Sequence, residues 1–189
     1  MTFDAQCDLA AVVFGPHDDP DRMFIDFADD LSRSGHRPAG LIQIGRSCRA
    51  QDPRLGVLVL PGREVAPLVD DGPPGAAGCR LDAGRLAGAA KRVADAIAGG
   101  ADLVIISRFG RMEAEGGGLA ELITHAINAD IPVLIAVPEH RFAGLIRFAE
   151  GMNVRLACRR EALDRWWQSV AGQLARPRNG GCTFCEIGK

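Results

Sequence analysis

Three stretches of this chain are nearly unbroken apolar runs: Val12-Val-Phe14 at the end of Leu9–Phe14, Leu103-Val-Ile-Ile106, and Pro132-Val-Leu-Ile-Ala-Val137. A strand with one wet face alternates apolar and polar residues, whereas an unbroken run has to be covered on both faces. Helical patterns lie between the runs. Pro20–Ser34 carries Met23, Phe24, Phe27 and Leu31 at helical spacing and is closed by Gly35. Strand following helix specifies βαβ units and a mainly parallel sheet with helices on both faces.

Further strands are expected over Pro38–Ile44, Gly56–Leu60 and Asn153–Ala157. Further helices are expected over residues 83–98, Leu119–Ala129, His140–Glu150 and Arg160–Leu174. Residues 46–82 break the rhythm and read as a small β insertion, with the Pro-, Gly- and Asp-rich Pro61–Gly78 running over the surface. The expectation is one α/β domain over residues 1–174, a sheet of about five or six strands, and a flexible C-terminal tail over residues 175–189.

Composition excludes several functions. The 189 residues carry a formal net charge of -2, so no global field recruits nucleic acid or an anionic membrane. No apolar run reaches bilayer length, and the N-terminus lacks the basic and apolar regions of a signal peptide. Cys7, Cys48, Cys79 and Cys158 are scattered, as suits reduced thiols. A cytoplasmic protein is expected. Lys91 and Lys189 are the only lysines, so a site needing a phosphate-binding lysine has almost no candidates.

Ligands of open α/β sheets are handled at the carboxyl ends of the strands. The turn after the first strand, Gly15-Pro-His-Asp-Asp-Pro-Asp-Arg22, occupies such a place. A phosphate loop there would read G-x-x-x-x-G-K-S/T. Here Gly15 is followed by acids and by prolines without N–H donors. Asp18, Asp19 or Asp21 would cap the following helix; alternatively, Gly15 and Asp18 contribute to a ligand site. Gln43, at the end of the second strand, faces the same edge.

The central turn is the richer candidate. Ser107, Arg108 and Gly110 follow strand Leu103–Ile106, and Arg111, Glu113, Glu115 and Gly116-Gly117-Gly118 come next. Glycines admit a close backbone approach, Arg108 is suited to an oxyanion, and Glu113 or Glu115 could hold a metal or act as a base. The plainer reading is a loop of solvated charges and internal Arg–Glu pairs.

Cys79-Arg-Leu-Asp82, then ADLVIISRFGRMEAEGGGL, then Ile131–Glu139 resemble the bacterial domain-of-unknown-function family 2478 over roughly residues 8 to 160. That family is similar at a distance to P-loop nucleoside triphosphatases, and some members resemble proteins of molybdate uptake or molybdenum enzymes. The resemblance implies a three-layer P-loop-NTPase-like domain with a ligand site built from the Cys79–Asp82 segment and the turn Phe109–Gly116. Asp82 is a credible N-cap, Arg80 would be free to reach an anion, and Cys79 reads as a packed thiol.

Departures from a working triphosphatase are evident. The strand that should end in Mg²⁺-holding acids ends Ile106-Ser107-Arg108, and no lysine-bearing loop precedes it. A small-ligand binding or accessory protein is therefore the leading expectation, with Arg80, Arg108, Gly110, Glu113 and Gly116 meeting a nucleotide or an oxyanion such as molybdate. The competing expectation is a divergent Mg²⁺-dependent nucleoside triphosphatase using Glu113 or Glu115. A third is an interaction module in metal-cofactor metabolism.

Cys182 and Cys185 form a C-x-x-C in the tail. Two thiolates suit half of a zinc or iron site, completed by a second copy in a homodimer or by another partner. The alternative is a tail with two incidental thiols. His17 and His140 fall near strand ends, and Trp166-Trp167 read as core plus interface.

Overall fold

The computed structural model describes residues 8–45, 55–68 and 82–174. Among them, β1 (Leu9–Phe14), β2 (Pro38–Ile44), β3 (Gly56–Leu60), β4 (Glu64–Pro67), β5 (Leu103–Ile106), β6 (Val133–Pro138) and β7 (Val154–Ala157) form one sheet. The order is β4-β3-β2-β5-β6-β1-β7. Neighbours from β2 through β5, β6 and β1 to β7 are parallel, while β3 and β4 add on antiparallel. The central strands therefore end along one edge, where β1, β5 and β6 deliver their loops side by side.

Both faces are covered, as the apolar runs require. In β5, Val104 and Ile106 pack on one face against α2 (Ala83–Ala98), α4 (Ala120–Asn128) and α5 (Phe142–Phe148). Leu103 and Ile105 pack on the other against α1 (Pro20–Arg33) and α6 (Arg160–Leu174). Strand alternation sends successive side chains to opposite faces, so each residue of Leu103–Ile106 is fully buried. Trp166 and Trp167 are core residues at 3% and 7% exposure. Trp167 meets Phe27 edge-on at 6.5 Å and His36 at 5.2 Å. No helix among the described residues is long and apolar enough to cross a membrane.

Three details differ from the sequence reading. Among the described residues the sheet has seven strands, because Glu64–Pro67, expected as surface excursion, pairs with β3. That strand is mostly exposed; an edge strand ending in Pro lacks the apolar pattern that would announce it. The described part of the expected insertion is thus a hairpin that widens the sheet. A short helix, α3 (Arg111–Ala114), stands inside the central turn. The segment expected as a helix from His140 starts as a 3-10 turn, Glu139–Arg141, before α5.

Candidate functional site

The β1–α1 turn is closed by its own acids. The Gly15 N–H donates to the Asp18 Oδ2 at 2.8 Å, and the Asp18 N–H returns to the Gly15 carbonyl at 3.3 Å. Asp19 caps α1 by accepting the Arg22 N–H at 3.0 Å. Pro16 and Pro20 have no N–H to offer. Two of the backbone donors that could cradle a phosphate at a helix N-terminus, those of Gly15 and Arg22, are here taken by aspartate carboxylates.

Asp21, in the first turn of α1, points inward. Its Oδ2 lies 2.6 Å from the Arg108 Nη2. The Arg108 guanidinium also sits 5.1 Å from the centre of the Phe14 ring, a cation–π contact. Ser107, only 3% exposed, accepts the Gln43 N–H at 2.6 Å and lies beside the Asp21 carboxylate, where it favours the charged form. Burial pushes the Asp21 carboxyl above its ordinary range, outweighing the Arg108 and Ser107 contacts, and the charge of Asp19 adds to the rise. Asp21 Oδ1 and Arg108 Nε are buried with no hydrogen-bond partner among the described residues.

Glu113 clamps the central turn. It is 8% exposed. Its Oε2 accepts the Gly110 N–H at 2.8 Å and its Oε1 the Leu119 N–H at 3.1 Å. Gly110 is the N-cap of α3, and Gly116 (φ 83°) lets the chain turn back toward α4. Arg111 and Glu115 pair on the surface at 2.7 Å.

A cleft of about 480 Å³ opens at the carboxyl ends of β1 and β7, lined by Val13, Asp18, Arg155, Leu156, Ala157, Cys158 and Arg159. Arg155 stacks over Phe142 at 5.1 Å and approaches Glu139 at 3.9 Å. The Cys158 thiol is pushed up to about 11, first by burial and then by the charges of Asp18, Asp19 and Asp21.

Residues 9–166 match the family described as Protein of unknown function (DUF2478). The chain belongs to this family. The Molybdenum import ATP-binding protein ModC 2 of Bradyrhizobium diazoefficiens is 39% identical over 174 residues, 90% of this chain and 19% of that protein. The chain thus spans only a small part of that relative. The solution structure of a human cancer-related nucleoside triphosphatase superposes with a TM-score of 0.61 at 14% identity, covering 89% of this chain and 98% of that one. The DUF2478 chain therefore has a P-loop-NTPase-like α/β fold.

Within this DUF2478 fold, Gly15, Asp18, Gln43, Ser107, Arg108 and Gly110 gather along the carboxyl edge of the sheet. Asp82 caps α2, accepting the Arg85 N–H at 3.0 Å, as its sequence context suggests. Arg80, Cys79 and the tail cysteines Cys182 and Cys185 lie outside the described residues. Glu113, expected to meet a ligand or a metal, has both carboxylate oxygens accepting backbone N–H groups of its own turn. Glu115 and Arg111 follow the plainer reading of an internal Arg–Glu pair. Among the described residues, no group of three or more His, Cys, Asp or Glu side chains is placed to hold a metal ion. Sequence reasoning passed over Asp21 as a partner for Arg108 and did not single out Arg155 at the cleft. The available signal was an aspartate two positions past the N-cap, where capping does not need it.

Proposed function

We propose that this DUF2478 chain binds a small anion, a nucleotide or an oxyanion such as molybdate, at the carboxyl edge of its sheet, as an accessory protein without competent triphosphate hydrolysis. The observation that carries the reading is the self-closed β1–α1 turn. With Asp18 on the Gly15 N–H and Asp19 on the Arg22 N–H, a polyphosphate would have to displace two carboxylates and face their charge. The described acids do not assemble a Mg²⁺ cradle either: Glu113 is spent on backbone donors and Asp21 on Arg108.

Positive charge remains for a smaller anion. Arg108 stands at the end of β5, and Arg155 and Arg159 border the cleft at the end of β7. Molybdenum and ATP enter as ligand classes from the name of the relative, of which this chain spans 19%. The test combines isothermal titration with sodium molybdate, inorganic phosphate, ADP and ATP with a Mg²⁺-dependent phosphate-release assay. Saturable binding of one of these without phosphate release is the expected outcome. Sustained phosphate release, abolished by Glu113→Gln in a protein that still folds, would establish the hydrolase reading instead.

A further inference from the structure

We infer that Asp21 is a built-in competitor for the anion site of Arg108, and that a tetrahedral oxyanion binds by taking the guanidinium from the Asp21 carboxylate. The inference rests on the anion-binding reading and gives it a residue, a ligand class and a gate.

The Arg108–Asp21 pair is half made. An arginine holds a carboxylate best through two parallel N–H···O bonds. Here one contact is formed, Nη2 to Oδ2 at 2.6 Å, while Arg108 Nε and Asp21 Oδ1 are buried without a partner among the described residues. Buried polar atoms are nearly always hydrogen-bonded, so this site holds an unused donor beside a guanidinium already at the ligand-handling edge of the sheet. A tetrahedral oxyanion carries several acceptor oxygens and can take Nε and Nη2 together, which Asp21 does not do.

The surroundings allow the exchange. Phe14 supports the guanidinium at 5.1 Å, so Arg108 keeps a contact when the carboxylate leaves. The Ser107 hydroxyl oxygen, held by the Gln43 N–H at 2.6 Å, stays beside Asp21 when the guanidinium leaves. Burial raises the Asp21 carboxyl despite Arg108, so once the guanidinium is taken the side chain favours its neutral, protonated form. Asp19 contributes repulsion to the same place. Removing the charge at residue 21 therefore both vacates the guanidinium and weakens the local opposition to an anion.

Titration calorimetry of wild type, Asp21→Asn and Arg108→Gln with sodium molybdate, and again with sodium phosphate, tests this. A site whose competent state is populated only a tenth of the time binds about tenfold more weakly than the free site. Asp21→Asn is therefore expected to bind molybdate or phosphate roughly tenfold more tightly than wild type, and Arg108→Gln to lose that binding. Asp21→Ser, which removes the carboxylate differently, should reproduce the gain should Asp21→Asn fail to fold. Equal or weaker oxyanion binding by folded Asp21 variants overturns the competitor role, as does wild-type affinity in Arg108→Gln; the anion-binding reading then survives on the wild-type isotherm. ADP or ATP binding with no oxyanion binding in any variant also defeats the inference alone. No binding of any of the four ligands, by wild type or by either Asp21 variant, defeats both.

Discussion

Glu113 and Leu119 are joined across their own turn, the Glu113 Oε1 accepting the Leu119 N–H at 3.1 Å while Oε2 takes the Gly110 N–H at 2.8 Å. One carboxylate thus fixes both ends of the segment leading from β5 to α4. A glutamine retains one acceptor oxygen but turns the other into a donor, leaving a backbone N–H facing an NH₂ group. Glu113→Gln is expected to lose about 1–3 kcal/mol of stability, the cost of an unsatisfied buried donor. Urea unfolding measures the loss, and amide exchange at Gly110 and Leu119 should accelerate. A variant matching wild type in both would remove the clamp.

Gly40 lies in β2 opposite Ile105, with φ 153°. A Cβ there would press into the Ile105 backbone, meeting its carbonyl oxygen well inside van der Waals contact. Neither strand can retreat, since β2 is flanked by β3 and β5, and β5 by β6. Gly40→Ala is expected to cost about 3 kcal/mol from backbone strain and overpacking together, read as a lower urea midpoint or as insoluble protein. Alanine at wild-type stability would show that the β2–β5 approach is looser than described.

The sheet was legible because burial on both faces leaves a pattern: Leu103–Ile106 and Pro132–Val137 read as covered strands and are β5 and β6. The Trp pair and the Asp82 cap were legible for the same local reason. β4 was not, since its exposed residues carry no apolar rhythm. Nor was the occupation of Glu113, because a carboxylate that binds its own loop and one that binds a metal look alike in a string of letters. The Asp21–Arg108 pair joins residues 87 positions apart, and only the β1–β6–β5 adjacency places a residue after β5 beside the start of α1.

Arg37 and Asp102 tie the starts of β2 and β5 at the opposite edge of the sheet. The Asp102 Oδ2 accepts the Arg37 N–H at 2.7 Å, and its Oδ1 lies 3.2 Å from the guanidinium. Burial raises the Asp102 carboxyl, but the Arg37 side-chain and backbone hydrogen bonds outweigh it and hold the group below its ordinary range. A depressed carboxyl stabilises the fold above its unfolded value of about 3.9, and the contribution disappears as pH falls through the lower folded value. With Arg37 62% exposed, the ion pair is worth no more than about 1 kcal/mol. Asp102→Asn should therefore be less stable than wild type at about pH 7, with the gap narrowing below about pH 4. A gap that stays constant or widens on acidification, followed by urea unfolding at each pH, would contradict the assignment.

Cys158 stands at the rim of the cleft, its thiol pushed up to about 11 by burial and then by Asp18, Asp19 and Asp21. Only the thiolate is alkylated readily, and its lower abundance is partly offset by its greater nucleophilicity. In a variant with the remaining cysteines changed to Ser, iodoacetamide at about pH 8 should label the folded protein on the order of tenfold to a hundredfold more slowly than the urea-unfolded chain. The rate should climb with pH well past the point where an ordinary thiol levels off. Asp18→Asn, which removes the first of the repelling charges, should speed labelling modestly without opening the fold. Labelling of the native protein as fast as the unfolded chain would mean that Cys158 is neither buried nor under the acids of the β1–α1 turn, and would place those carboxylates farther from the cleft than described.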